Sequence, residues 1–307
     1  MTHSIGQGST VPLTRAQIWL LAARPKTLWA SIAPVMVGCA VAWRDGAFHW
    51  PSAVAALAGG VLIQIGTNLA NDLFDHLHGA DTHERTGPLR VTQSGLATPA
   101  QVRNAMIGVF ALAFLIGIYL VSRGGWPIVW IGLFSIASAI LYTGGPYPLG
   151  YHGWGDLFVF VFFGPVAVVG TYYVQAHSTS PAVWWASIPM GALATAVLVI
   201  NNLRDLPNDR RAGKRTLAVK LGRYGTIGEY ATLLIVAALV PAAMVLLQLA
   251  PYSVLGASML VLIFMPLMIK SASSSPTSLG PVLNELLART AQLQALYALA
   301  FAVGINL

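Results

Sequence analysis

Long apolar runs, each closed by a short connection rich in polar residues, glycine or proline, follow one another along most of this 307-residue chain. Nine runs approach or exceed the roughly 20 helical residues that a bilayer crossing takes. They fall at about 28–45, 53–74, 101–121, 126–143, 156–177, 183–203, 227–249, 253–270 and 286–305. Inside hydrocarbon the backbone must satisfy its own hydrogen bonds, so only helices or a closed barrel can span it. Barrel strands are about 10 residues long and alternate apolar with polar positions. These runs are too long and too continuously apolar for that, so the pattern predicts an all-α fold, a polytopic bundle of nine transmembrane helices.

Composition agrees. The chain is 56% hydrophobic and 9% charged, against about 25% charged residues in an ordinary soluble domain. The longest polar connections, about 76–99 and 204–226, are too short to fold alone. One membrane domain over residues 1–307 is therefore expected, with residues 1–20 as a polar N-terminal segment. That segment lacks the apolar core of a signal peptide, so the first span is expected to remain as an anchor. The lone Cys39 excludes an intrachain disulfide and reads as a small packed hydrophobe.

A net charge of +7 invites a nucleic-acid reading, but the placement of the charge points to lipid. With the N-terminus in the cytoplasm, fifteen of the 17 Lys and Arg residues fall on the cytoplasmic side, and only Arg44 and Arg123 fall outside. Such a bias orients membrane proteins. The basic run of Arg210, Arg211, Lys214, Arg215, Lys220 and Arg223 suits anionic lipid headgroups as well.

The ten acidic residues are distributed less evenly. Six stand in two clusters, Asp72, Asp75, Asp81 and Glu84, then Asp205 and Asp209. Each cluster follows an apolar run, accompanied by asparagines: Asn68 and Asn71 in the first, Asn201 and Asn202 in the second. An even number of crossings separates them, which gives both the same orientation and suggests parallel repeats of a four-helix unit, with a ninth helix added. Asn68, Asp72 and Asp75 share one helical face at i, i+4 and i+7. Asn201, Asp205 and Asp209 do so at i, i+4 and i+8, although Pro207 is in a position to end that helix. Carboxylates at a membrane boundary are costly to desolvate without a cationic partner. Facing stripes of hard oxygen donors suit Mg²⁺, which favours bridging carboxylates to the phosphates of a substrate. Ordinary solvated helix caps would explain one aspartate more easily than two asparagine-flanked clusters.

The motif Asn68-x-x-Asn71-Asp72-x-x-Asp75-x-x-x-Gly79-x-Asp81, with Asp205-x-x-x-Asp209, resembles the two aspartate motifs of the UbiA superfamily of intramembrane prenyltransferases. Further stretches resemble its naphthoate (MenA) branch, the 1,4-dihydroxy-2-naphthoate polyprenyltransferases. These are Arg24-Pro-Lys-Thr-Leu, Arg85-Thr-Gly-Pro-Leu-Arg90, Tyr142-Thr-Gly-Gly-Pro-Tyr-Pro-Leu149 with Gly155-Asp156, and Asn201-Asn-Leu-Arg-Asp205 leading into Gly213-Lys-Arg-Thr-Leu217. The likeness covers roughly residues 20–225. It implies nine spans around a central cavity in which Mg²⁺ holds a polyprenyl diphosphate, with menaquinone synthesis at the cytoplasmic membrane. Asp72, Asp75, Asp205 and Asp209 are then the expected metal ligands, with Asn68 and Asn201 as neutral partners and Asp81 as a further carboxylate. Lys26, Arg85, Arg90, Lys214 and Arg215 are candidates for holding phosphate oxygens, and Asn71 and Tyr142 are further substrate-binding candidates. The 4-hydroxybenzoate branch places a lysine five residues after the equivalent tyrosine. Here Tyr147 follows Tyr142, which counts against that acceptor.

An allylic cation needs a cavity that excludes water. Tyr142, Tyr147, Phe158, Phe162, Phe163, Tyr172 and Tyr173 are the aromatic candidates to line it, although such residues often serve only packing. His76, His78 and His83 lie beside the first cluster, but their spacing matches no established zinc motif and they read as loop residues. A secondary transporter is the rival from another class, since repeats and membrane carboxylates also occur there. It would place its charges near mid-membrane rather than at one edge. A CDP-alcohol phosphotransferase would carry an Asp-Gly-x-x-Ala-Arg motif, which is absent.

Overall fold

Helix begins sooner than the apolar pattern predicts. The computed structural model describes residues 13–79, 89–274 and 280–307, and its first element is α1 (Arg15–Ala23), which begins inside the expected polar segment. Thr14 Oγ1 accepts from the Gln17 N–H at 3.3 Å, while Gln17 Oε1 accepts from the Thr14 N–H at 2.8 Å. This reciprocal box satisfies two helix-end donors, a local signal that outweighs the polar composition. Trp19, Leu20 and Leu21 are exposed while Ala22 is buried, the arrangement of a helix lying along a membrane surface. Arg24 adopts a left-handed φ of 52° and ends α1, and Pro25 opens α2 (Pro25–Arg44).

The remaining helices are α3 (Trp50–Leu77), α4 (Pro99–Gly124), α5 (Trp126–Leu141), α6 (Gly155–Val161), α7 (Ala167–Ala176), α8 (Pro181–Arg211), α9 (Leu217–Leu246), α10 (Leu255–Ser274) and α11 (Gly280–Gly304). No strand occurs among the described residues. Proline stands in the first turn of α2, α3, α4, α5 and α8, where its missing N–H costs nothing and its fixed φ favours helix. A π-helical turn, Phe162–Val166, joins α6 to α7 into one apolar span. Pro165 within that turn withholds a backbone donor, a local cause of the wider winding.

Among the described residues, eight helical spans are long and apolar enough to cross a membrane, and the shorter α5, of 16 residues, corresponds to the remaining predicted run. The boundaries are where expectation and structure part. Helix α8 does not stop at Pro207 but continues to Arg211. Leu203 and Leu206 are buried in the turn leading into Pro207, and this packing holds the helix despite the lost hydrogen bond. Helix α9 starts at Leu217, ten residues before the predicted span, and turns at Gly222, whose φ of 68° and ψ of 179° are not helical.

Helix α3 lies against α4 and α8 against α9, while α11 packs on α2, α8 and α10. Gly66 permits the first of these approaches, since a Cβ there would stand 2.5 Å from the Phe110 ring. One apolar core joins α2, α7, α8, α9, α10 and α11, and a second joins α1, α3, α4 and α5. Between them lies a cavity of about 1680 Å³.

Candidate active site

The last two turns of α3 and the last three of α8 bring their polar side chains together at this cavity. Asn71 and Asp75 line it from α3, and Asn201, Asp205, Asn208 and Asp209 line it from α8. Deeper walls are apolar and include Ile118, Leu133, Phe158, Phe162 and Phe163. Charge therefore collects at one end of the chamber, where the helices run past their apolar stretches.

Each of the three cavity-lining aspartates meets a cation. Asp75 is buried and forms an ion pair with Arg90, and its other oxygen accepts from Lys214 Nζ at 3.2 Å. The same ammonium stands 4.0 Å from Asp209 Oδ1, so Lys214 bridges the two acidic motifs directly. Asp205 is gripped by the guanidinium of its neighbour Arg204, Nε to Oδ1 at 2.8 Å and Nη2 to Oδ2 at 2.6 Å. Arg204 also donates to Asn201 Oδ1 and to Asn284 Oδ1 of α11, both at 2.8 Å. Its side chain is 1% exposed, so these bonds form away from competing water.

The two other oxygen donors predicted on α3 turn away from the cavity. Asn68 donates through Nδ2 to the Ala23 carbonyl at 2.9 Å and to Thr27 Oγ1 at 3.0 Å, tying α3 to the junction of α1 and α2. Asp72 accepts from the backbone N–H groups of Val91 and Thr92 at 3.0 and 3.1 Å. It thereby fixes the turn that carries Arg90. The cavity-facing pair is instead Asn71 and Asp75, spaced i, i+4 as are Asn201 and Asp205 on α8.

Of the basic candidates, Lys26, Arg90 and Lys214 line the cavity, whereas Arg215 is exposed and contributes its backbone N–H to the Tyr151 carbonyl at 2.7 Å. Arg85, Asp81, Glu84 and His83 lie outside the described residues. Among the aromatics, Tyr142, Phe158, Phe162 and Phe163 line the chamber. Tyr147 is exposed and stacks on His152, while Tyr172 donates to Asp45 Oδ2 at 2.8 Å. Sequence reasoning missed Thr143, Tyr151 and Asn284, which reach the acidic motifs from loops or another helix. It counted Arg204 only as a topological charge.

Among the described residues no three His, Cys, Asp or Glu side chains gather closely enough to enclose a metal. That donor set still fits magnesium, which takes one or two carboxylates and completes its shell with water and phosphate oxygen. It fits zinc poorly, because among the described residues no cysteine and no histidine lines the cavity.

The sequence matches the UbiA prenyltransferase family over residues 31–278. It is 43% identical over 273 residues to the 1,4-dihydroxy-2-naphthoate octaprenyltransferase of Mycobacterium tuberculosis, covering 87% of this chain and 90% of the relative. Against the Escherichia coli protein of the same name it is 40% identical over 304 residues, 96% of this chain and 97% of the relative. The fold is similar to that of a UbiA homolog from Archaeoglobus fulgidus bound to DMAPP and Mg²⁺, with a TM-score of 0.66 at 16% identity, covering 94% of this chain and 98% of that one. Paired asparagine–aspartate motifs at one end of a helical cavity, a family match over most of the length and close relatives along nearly the whole sequence agree: this chain is a multi-pass membrane protein of the UbiA prenyltransferase family.

Proposed function

We propose that the protein transfers a polyprenyl group from polyprenyl diphosphate to 1,4-dihydroxy-2-naphthoate, releasing carbon dioxide and diphosphate and yielding demethylmenaquinol, the hydroquinone form of demethylmenaquinone. The observation that carries this reading is the meeting of Asn71 and Asp75 with Asn201, Asp205 and Asp209 at the charged end of a mainly apolar chamber. Relatives that bear the naphthoate octaprenyltransferase name support the choice of acceptor. At about 1680 Å³ the cavity exceeds the 300–1,000 Å³ of an ordinary ligand site, as a site for two oily substrates requires. The acidic groups stand in the last two turns of α3 and α8, not at mid-helix as a transporter reading expects.

Asp75, Asp205 and Asp209, with Asn71 and Asn201, would hold Mg²⁺. When bound, the metal would neutralise charge developing on the leaving diphosphate. Lys26, Arg90 and Lys214 line the same end and would bind the outer phosphate oxygens, the arginine as a fork and the lysines as point charges. Arg204 holds Asp205 and Asn201 in place before any ligand arrives. Phe158, Phe162 and Phe163 present apolar rings along the chamber, excluding water from the allylic carbon and offering π-faces to positive charge. The electron-rich naphthoate ring attacks that carbon at the position bearing the carboxylate. Loss of carbon dioxide then restores aromaticity.

The positive-inside bias supports a topology with the polar end of the cavity, and the N-terminus, on the cytoplasmic side of the cell membrane. Membrane lipid is the expected surroundings, and the basic residues serve topology and phosphate rather than nucleic acid. The test is to give purified protein Mg²⁺, a polyprenyl diphosphate and naphthoate labelled with ¹³C in its carboxylate. The label should leave as carbon dioxide in equal amount with diphosphate. Retention of the label on the prenylated ring, or consumption of 4-hydroxybenzoate alone, would overturn the assignment.

A further inference from the structure

Two residues of the connection between α5 and α6, residues 142–154, reach the donor pair of α3. Thr143 is buried, and its Oγ1 donates to Asn71 Oδ1 at 2.9 Å. Tyr151 donates its hydroxyl to Asp75 Oδ1, the oxygen that also accepts from Lys214. The Lys214 ammonium lies 4.3 Å above the centre of the Tyr151 ring. A single tyrosine thus touches the aspartate of one acidic motif and the lysine that bridges to the other.

The connection is built to hold these positions. Gly150 N–H donates to the Tyr142 carbonyl at 2.9 Å, and a 3₁₀ turn, Leu149–His152, carries Tyr151. Three contacts tie it to the segment after α8. The Arg215 N–H donates to the Tyr151 carbonyl, Lys220 Nζ donates to the His152 carbonyl at 2.6 Å, and Gly153, at φ 84°, leaves room for the Lys220 side chain. A Cβ on Gly153 would stand 2.7 Å from Lys220 Nζ.

We infer that this connection is a positioning element for the proposed prenyl-transfer site, in which Thr143 orients Asn71 while Tyr151 orients Asp75 and Lys214 together. The inference rests on the proposed function and deepens it. Its chemistry follows from charge. Arg90 and Lys214 neutralise Asp75 in the structure, but a cation on the carboxylate opposes a metal there. A tyrosine hydroxyl, by contrast, is an uncharged donor. It can therefore fix one carboxylate oxygen while leaving the negative charge for a metal. The Tyr151 ring holds Lys214 by a cation–π contact at the same time. Thr143 does for the asparagine what Tyr151 does for the aspartate, again without net charge.

Four variants of the full-length protein test this: Tyr151→Phe, which keeps the ring; Tyr151→Leu, which removes it; Thr143→Val, which removes the hydroxyl; and Thr143→Ser, which restores it. Two readouts are needed. The first is Mn²⁺ affinity by electron paramagnetic resonance in the presence of a non-cleavable prenyl thiolodiphosphate. The second is the separate KM values for polyprenyl diphosphate and naphthoate. Losing one hydrogen bond to a charged group should weaken Mn²⁺ binding by about tenfold in Tyr151→Phe, with a parallel rise in the diphosphate KM and no change in the naphthoate KM. Tyr151→Leu should lose more, Thr143→Val should weaken Mn²⁺ binding, and Thr143→Ser should recover wild-type values. Wild-type Mn²⁺ affinity in both Tyr151→Phe and Thr143→Val, or equal rises in both KM values, would overturn the positioning role. A wild-type protein that binds Mn²⁺ with the analogue yet prenylates no acceptor would overturn the proposed function instead, and the Mn²⁺ comparison would still decide the role of the connection.

Discussion

Arg204 offers the sharpest test of how the α8 half of the site is held. Its guanidinium makes four hydrogen bonds, two to Asp205 and one each to Asn201 and Asn284, at 2.6 to 2.8 Å. Replacing it with methionine keeps an apolar stem of similar reach and removes every one of these donors. Asp205 loses its ion-pair partner, and the two amide oxygens lose a donor in a buried setting. Breaking one side of a buried pair typically costs about 3–5 kcal/mol. At roughly 2–4 °C per kcal/mol, the unfolding temperature in detergent should fall by about 6 °C or more. Arg204→Lys keeps the charge but lacks the fork, so it should recover only part of that loss. Asn284→Ala removes a single anchor and should cost about 1–2 kcal/mol. Scanning fluorimetry with a prenyl-transfer assay on the same samples measures both consequences. Arg204→Met with wild-type stability and turnover would refute this account of α8.

The two aspartates of α3 should respond differently: Asp75→Asn should abolish transfer in a folded protein, whereas Asp72→Asn should mainly lower the unfolding temperature, by about 1–3 kcal/mol of lost acceptor strength. Equal loss of turnover at matched stability would show that the side-chain directions on α3 have been misassigned. Chelation by EDTA should stop turnover and added Mg²⁺ restore it; turnover that continues in the chelator would remove the metal from the proposal. If α5 crosses as the ninth span, a tag after Leu307 should be accessible only from the side opposite the acidic motifs; labelling of both termini from one side would break the repeat argument.

The helices were legible in the sequence because membrane spans are selected by length and apolar content, and both can be counted. Their ends were not, because they depend on packing that a linear pattern does not contain. Pro207 looks like a terminator on its own, yet buried Leu203 and Leu206 carry α8 through it. The two acidic motifs were found for a similar reason: ten acids in 307 residues make any cluster conspicuous. Which face of α3 looks inward was harder. Helical spacing groups Asn68 with Asp72 as readily as Asn71 with Asp75, and only tertiary structure shows that the first pair meets Ala23, Thr27 and the Arg90 turn. Thr143 and Tyr151 were hidden because a threonine and a tyrosine in a connection carry no sequence mark of the residues they will touch.

The repeat places like donors at like positions and then secures them by unlike means. On α8 the pair Asn201 and Asp205 is held by Arg204, one residue away on the same helix and anchored to Asn284 of α11. That grip moves with the helix and needs no loop. On α3 the pair Asn71 and Asp75 is held from outside, by Thr143 and Tyr151, and by Arg90 and Lys214 from two further segments. The α8 half is consequently fixed by helix packing, while the α3 half is fixed by how three connections meet. A site that must admit a charged diphosphate into an apolar chamber and then release it gains from this division. On the proposed reading, one set of donors would stay in place as a template, and the other would exchange partners as Lys214 and Arg90, both carried on connections rather than helices, turn from a carboxylate to a phosphate. The asymmetry also separates two kinds of damage. Changes at Arg204 or Asn284 should appear first in stability, and changes at Thr143 or Tyr151 first in ligand affinity, although all four residues serve the same ring of oxygen donors.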